Sequence, residues 1–496
     1  MKKRIFALLC AGIFLLSGCG KKNENQSESN LPLPAVTVSE IAPWGDGGLS
    51  GSATVTLYEP NSTGNYMMTV PRQVEVTAGR SRILPVLKAV LADLQTSLTV
   101  LDAEVSGKVA TVNLGYTASL LEKQEMFLLC RTISDTLCAN LDIDGVNVLV
   151  AGRAIGIDVR NTLPTGVFTP QRAENPNELW GRTSALVPEL GESLKGKSFT
   201  ATAALYFPVK GMAGIFPEAR SLSFSSLDPA DMAGTLLAAL SDNGMSRAGT
   251  LCLPDLVAGL SQPPTMEEQA ATARRELIFR FKPELNEQLA LFGVTRSAFL
   301  ASLVYTMTTF LPQITYVKVW MGNEQVQSVT PSSPYLADTP IVFEGGGMRR
   351  TDFSAMLMDF ANLYFALDGK LVSTLRPVPW QNKANPRFLL QQLALGSKNY
   401  DTVTGLSPVM DAAYQDAQLL GISLEGDTLA LNLGEVFVKG DDTTVYAIMN
   451  TLLPAAGAPK GCLFVGGVQP VEEPGGICWQ GYFRENYGIV TELPLG

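Results

Sequence analysis

The side chains of this 496-residue chain that could do chemistry are two runs of adjacent carboxylates, a handful of cysteines and one late group of aromatic rings. A carboxylate-based hydrolase needs two acids about 5 to 9 Å apart across its substrate. Asp441-Asp442 opens a predicted helix, where negative charge favours the helix dipole, and Glu472-Glu473 falls in a turn before Pro474. Neither pair belongs to an identifiable cleft, so both read as solvated structural acids. Cys130 and Cys138 lie eight apart on a predicted helix, about 12 Å, too far to bridge. With Ile133 and Leu137 they fill a core-facing stripe. Cys462 and Cys478 flank the last turn and could pair across adjacent strands. Trp479, Tyr482, Phe483 and Tyr487 offer flat rings for a sugar or peptide surface, or else satellite core under a long loop.

Several chemistries are excluded outright. The chain contains no histidine, so Ser-His-Asp triads, Cys-His dyads, His-ligated zinc and histidine general bases are impossible. There is no Cys-x-x-Cys. Gly345-Gly346-Gly347 lacks the Gly-Lys-Ser/Thr end of a phosphate loop and reads as a flexible connector. Asp142-Ile143-Asp144-Gly145 starts like a calcium loop but runs into the apolar Val146–Gly152, so it reads as a turn from helix to strand. Asn61-Ser62-Thr63-Gly64-Asn65 reads as a hairpin turn. No metal, cofactor or catalytic residue is expected.

The N-terminus carries an address. Lys2, Lys3 and Arg4 precede an apolar run from Ile5 to Leu16, too short to span a membrane. Leu16-Ser17-Gly18-Cys19 follows and resembles the bacterial lipobox. That resemblance implies cleavage before Cys19, acylation of its sulfur and anchoring by two or more chains. The net charge is −10, and losing three basic residues with the signal makes it more negative, which excludes a basic nucleic-acid footprint. Residues 19–50 read as a disordered or extended tether. No later apolar run reaches about 18 residues, so the remainder is expected to be soluble.

The rest of the chain repeats. Leu57-Tyr58, Leu205-Tyr206 and Leu363-Tyr364 each sit in a strand-like stretch. Ser106–Gly115 aligns without gaps to Glu425–Gly434, matching Gly107, Asn113, Leu114 and Gly115 to Gly426, Asn432, Leu433 and Gly434. In the middle copy Glu276–Phe281 takes that strand's place. Apolar spacings of three and four predict a first helix over Arg82–Leu94, Pro229–Leu240 and Pro386–Leu395. Its buried stripe in the first copy is Ile83, Leu84, Leu87, Val90, Leu91 and Leu94. A second helix is predicted over Lys123–Leu141, Arg296–Leu311 and Asp442–Leu453. Closing strands are predicted at Val146–Val150, Tyr316–Trp320 and Cys462–Val465. The plan is strand-helix-strand-strand-helix-strand, an α+β module with helices on one face of a sheet.

Copy one, with its Thr54–Arg72 stretch, amphipathic helix and Val109–Gly115 hairpin strand behind a lipobox, resembles the GerMN domain of the GerM sporulation and spore germination lipoproteins. The resemblance implies a non-catalytic envelope role and possible self-assembly, with other envelope proteins or the cell wall as partners. Module boundaries follow at 51–165, 198–330 (with an insertion at 249–273) and 350–496 (with a C-terminal extension). Connectors are expected at 166–197 and 331–349. The protein is expected at the cell membrane, lipid-anchored on its outer face. Three similar units in a row predict an elongated shape.

Overall fold

The computed structural model describes residues 41–46, 49–61, 67–94, 96–156, 161–170, 198–242, 249–269, 274–312, 314–409, 419–434, 442–469 and 481–491. The lipobox, Cys19, Cys478, Trp479, Glu472-Glu473, Asp441 and most of the Asn61–Asn65 turn lie outside the described residues.

Module one runs β1 (Ser50–Pro60), β2 (Met67–Thr77), α1 (Ile83–Asp93), β3 (Val100–Ser106), β4 (Val109–Leu114), α2 (Lys123–Asn140), β5 (Gly145–Val150) and β6 (Arg153–Ala154). Module two repeats it as β7 (Phe199–Pro208), β8 (Ile215–Phe224), α3 (Pro229–Leu240), β9 (Leu260–Gln269), β10 (Arg274–Phe281), a short α4 (Leu285–Leu291), α5 (Arg296–Phe310), β11 (Tyr316–Met321) and β12 (Glu324–Gln325). A small hairpin of β13 (Ser328–Val329) and β14 (Ile341–Val342) leads to module three. That module comprises β15 (Met358–Leu367), β16 (Lys370–Pro379), α6 (Pro386–Ala394), β17 (Leu419–Glu425), β18 (Thr428–Leu433), α7 (Asp442–Ala456), β19 (Lys460–Val465) and β20 (Val490–Thr491). The fold is α+β, and every predicted helix lies within three residues of its observed ends.

Each module pairs its first two strands as an antiparallel hairpin. A second sheet follows in the order β3-β4-β5, β9-β10-β11 and β17-β18-β19. In it the first pair is antiparallel and the second parallel. A parallel neighbour demands a long crossover, which α2, α5 and α7 supply. Local signals start the helices. Asp228 accepts from the amides of Ala230 and Asp231 with Pro229 behind it, and Asn385 accepts from that of Phe388.

Hydrogen bonds prove the repeat at atomic level. The backbone N–H of Tyr58 donates to Thr136 Oγ1 at 2.9 Å, that of Tyr206 to Thr306 Oγ1 at 3.0 Å, and that of Tyr364 to Thr451 Oγ1 at 3.1 Å. A hairpin strand leaves one edge of amides unpaired, and burying them unmet is costly. A hydroxyl from the crossover helix meets the same amide in every copy. A second recurrence joins the two asparagines aligned by sequence. Asn113 Oδ1 accepts from Gly152 N–H at 2.8 Å, and Asn432 Oδ1 from Gly467 N–H at 3.0 Å. In module two Arg280 takes this place and lies 4.1 Å from the Trp320 ring centroid.

A third recurrence closes sheet edges. Leu57, Leu205 and Leu363 pair with Val70, Glu218 and Thr374, and the residues three before those partners are Met67, Ile215 and Leu371. Ile215 takes a parallel bridge from Leu357, and Leu371 one from Val490. The C-terminal extension thus supplies β20 to module three.

Four expectations change. Residues 260–269 are not part of an insertion but strand β9, which runs along an edge of its sheet. Pro263-Pro264 disguised it. Proline is tolerated on an edge strand, and here it sits where the register slips between Ile278 and Arg280. The end of the tether is not free either. Gly45 N–H donates to Leu420 O, Ile422 N–H donates to Gly45 O, and Ala42 is buried with Ala430, Cys462 and Phe464. The Gly345–Gly347 connector is pinned, with Gly346 N–H donating to Phe343 O and Met348 bridging Val317. Finally, Leu84 stands 43% exposed, while Val86 is buried in its stead. On steps of about 100° Leu84 falls at the margin of the stripe, beside Leu91 rather than at its centre.

The modules do not extend in a row. Residues Val38–Gly496 form one compact unit, and each module touches the other two. Val209, Met212 and Phe216 of module two pack on Met358 and Phe360 of module three, with the Phe216 and Phe360 rings 5.0 Å apart. The β3–β4 turn of module one enters the same junction, where Ser106 Oγ donates to Met358 O. Helix α5 is buried on all sides from Ser297 to Phe310, as an apolar helix at the centre of a core must be. Among the described residues no single helix is long and apolar enough to cross a membrane.

One acid pair outside the junction titrates in place. Glu59, next to the last residue of β1, shares a hydrogen bond with Asp93, ending α1, beside Arg72, whose Nη2 is 2.8 Å from Asp93. That shared bond, then burial, raises the Glu59 pKa above 4.5. The same bond lowers Asp93 below 3.8, with Arg72 adding to it. A raised acid contributes stability at low pH that is lost as pH climbs through its folded pKa. A lowered one loses its contribution as pH falls through its own. Glu59→Gln keeps a donor without the charge. At pH 7 it is expected to stabilise the protein by up to about 1 kcal/mol, and by nothing near pH 4. Thermal melts at both values check this, and an equal effect at both contradicts it.

Candidate functional site

The second sheet of module one has two faces. Ala103, Ala110, Val112 and Val148 belong to the core under α1 and α2. The opposite face carries Asp102, Glu104, Thr111 and Asn113, a polar row that alternation alone would assign to solvent. It instead meets module two, where Thr111 Oγ1 and the hydroxyl of Tyr206 on β7 are 3.4 Å apart. Where the surfaces diverge they leave a cleft of about 1120 Å³, whose wall includes Arg153, Tyr316, Arg349, Arg350 and Trp380.

Arg350, on the turn that opens module three, fixes the cleft floor. Its side chain is 10% exposed and ion-pairs with Glu104. Its guanidinium lies 4.1 Å from the Tyr305 ring centroid and donates to Thr309 Oγ1. Burial lowers its pKa to about 9, with Asp102 opposing, so it stays charged at neutral pH. Asp102 accepts from Asn113 Nδ2 at 2.7 Å, and Asn113 is the asparagine that also holds Gly152. One residue is left unmatched. Tyr305 is fully buried at the cleft, and its hydroxyl has no hydrogen-bond partner among the described residues. Burial pushes its pKa well up, so it remains a neutral donor.

Asp102 and Glu104 come off one strand and share one wall of the cleft. Both are engaged by fixed partners.

The residues singled out from sequence lie elsewhere. Phe483 is buried in the module-three core, 6.2 Å from the Tyr446 ring. Tyr482 lies under Lys460 Nζ at 4.7 Å. Tyr487 is 55% exposed, with its ring 6.4 Å from Tyr364. These three therefore do not form one common surface, and their companion Trp479 is outside the described residues. Cys462 is buried on β19, which raises its thiol to about 11; its proposed partner Cys478 is outside the described residues. Cys130, Ile133 and Leu137 are fully buried as the stripe required, and burial raises the Cys130 thiol to about 12, far from reactive. The cleft residues were missed because they gather from three modules. Only Asn113 gave a signal, through its repeat at Asn432.

No family model matches the chain, and no curated protein matches it. Among solved structures it is similar to the tandem GerMN domains of the sporulation protein GerM from Bacillus subtilis. The identity is 14%, covering 59% of this chain and all of that one, with a TM-score of 0.24. The modular reading of this chain rests on its own repeated hydrogen bonds.

Proposed function

We propose that this chain is a non-catalytic, membrane-anchored envelope lipoprotein that serves as a binding or assembly module for cell-envelope components, with a role in sporulation or germination. The observation that carries the binding reading is the junction cleft, whose inner charges are paired with each other and whose floor holds one unmet donor. The lipobox supports the anchor, and the sequence resemblance to GerMN modules supports the cellular setting.

Cys19→Ala is expected to release the protein from membranes, cutting the pelleted fraction by about tenfold or more, since acyl chains supply the affinity. Fractionation with acyl-chain labelling checks this; unchanged pelleting would contradict the anchor. The cellular role is tested with a C-terminal tag that fluoresces outside the cytoplasm. Enrichment at the septum or around the engulfed forespore is expected. Uniform membrane signal, unchanged between growth and sporulation, would remove the sporulation role and leave an anchored binder.

A further inference from the structure

We propose that the cleft between modules one, two and three binds an oligosaccharide that carries carboxylate groups. This rests on the non-catalytic binding reading and gives it a ligand class. Its volume of about 1120 Å³ exceeds the usual range for one small molecule, about 300–1,000 Å³, and suits several linked rings. Trp380 is half-buried in its wall, a flat surface on which the apolar face of a sugar ring can lie, and the Tyr316 ring in the same wall carries the Arg349 guanidinium 5.9 Å from its centroid.

Charge selects among sugars. Three arginines but only two carboxylates line the cleft. Arg350 is met by Glu104, and Arg349 sits 3.5 Å from Asp352. Arg153 is exposed at the rim and makes no hydrogen bond or ion pair among the described residues. A guanidinium so placed matches a ligand carboxylate in a forked, charge-assisted contact. Deeper in, the Tyr305 hydroxyl needs an acceptor, which a ring hydroxyl or carboxylate supplies. An extended peptide is the poorer fit, because the module-one wall presents the side chains of Asp102 and Asn113 across a sheet face, whereas strand addition needs a free backbone edge.

The test is calorimetric titration of the signal-less chain carrying Cys19→Ser with three probes. They are a hyaluronan tetrasaccharide, which carries carboxylates, chitotetraose, which is neutral, and a hexa-aspartate peptide. The acidic tetrasaccharide should bind about tenfold tighter than chitotetraose. Arg153→Ala, at an exposed site, should abolish that preference with an unchanged melting temperature. Tyr305→Phe should weaken both sugars by about fivefold while leaving stability equal or higher, since it removes an unmet buried hydroxyl. The proposal is overturned by absence of sugar binding, by binding that ignores both substitutions, or by tighter binding of the peptide. Membrane retention through Cys19 is measured separately, so failure here leaves the anchored-lipoprotein reading standing.

Discussion

Arg376→Ala is expected to destabilise the protein by about 3–5 kcal/mol, the range for removing one partner of a buried ion pair. Arg376 and Asp401 are both fully buried. Its Nε donates to Asp401 Oδ1 at 2.9 Å, and its Nη2 reaches Asp401 Oδ2 and the Gly396 carbonyl, both at 2.5 Å. Nη1 donates to the Gln392 carbonyl at 3.0 Å. One guanidinium therefore ties β16 to the end of α6 and to the loop that follows. Alanine leaves the Asp401 carboxylate buried without its counter-ion and frees two carbonyls. Replacing both residues by apolar side chains of similar volume should cost much less, because no charge is then stranded. Urea unfolding measures both. A single-mutant loss under about 1 kcal/mol would contradict this account of the module-three core.

Gly107→Ala is expected to cost far more than Gly426→Ala, although the two glycines occupy the same turn in different modules. Both have left-handed backbones, with φ of +56° and +61°, so each alanine carries a backbone penalty of about 1 kcal/mol. Their surroundings differ. A Cβ on Gly107 would fall 2.4 Å from Phe216 Cζ, whereas one on Gly426 meets nothing within 4 Å. The excess at position 107, about 1–3 kcal/mol for an overpacked contact, measures the junction itself. Equal losses for the two variants would mean that module one does not seat on Phe216 in solution.

Much of the fold was readable because local chemistry specifies it. Asp228-Pro229 starts a helix, the stripe through Cys130, Ile133 and Leu137 gives α2 its buried face, and the Asn-Leu-Gly repeat aligns modules one and three. What was not readable follows from non-local physics. Thr111 and Asn113 alternate with apolar neighbours as on a solvated sheet face, and nothing local says that Tyr206 and Tyr305 arrive from another module to cover it. Pro263-Pro264 looks like a break until β9 is seen to be an edge. Ala42-Pro43-Trp44-Gly45 has a linker's composition, yet its backbone groups pair with Leu420 and Ile422, about 380 residues away. Arg350 and Trp380 acquire a role only once the three modules close on one another. The candidate site was therefore nearly invisible in sequence, while the modules that build it were plain.

Closure of the three modules around one cleft is tested most directly by small-angle X-ray scattering of the signal-less chain carrying Cys19→Ser. A compact unit of this length should give a radius of gyration of about 23 Å and a single-peaked distance distribution. A radius above about 30 Å, with a long shouldered distribution, would describe three modules in a row and would contradict the shared cleft.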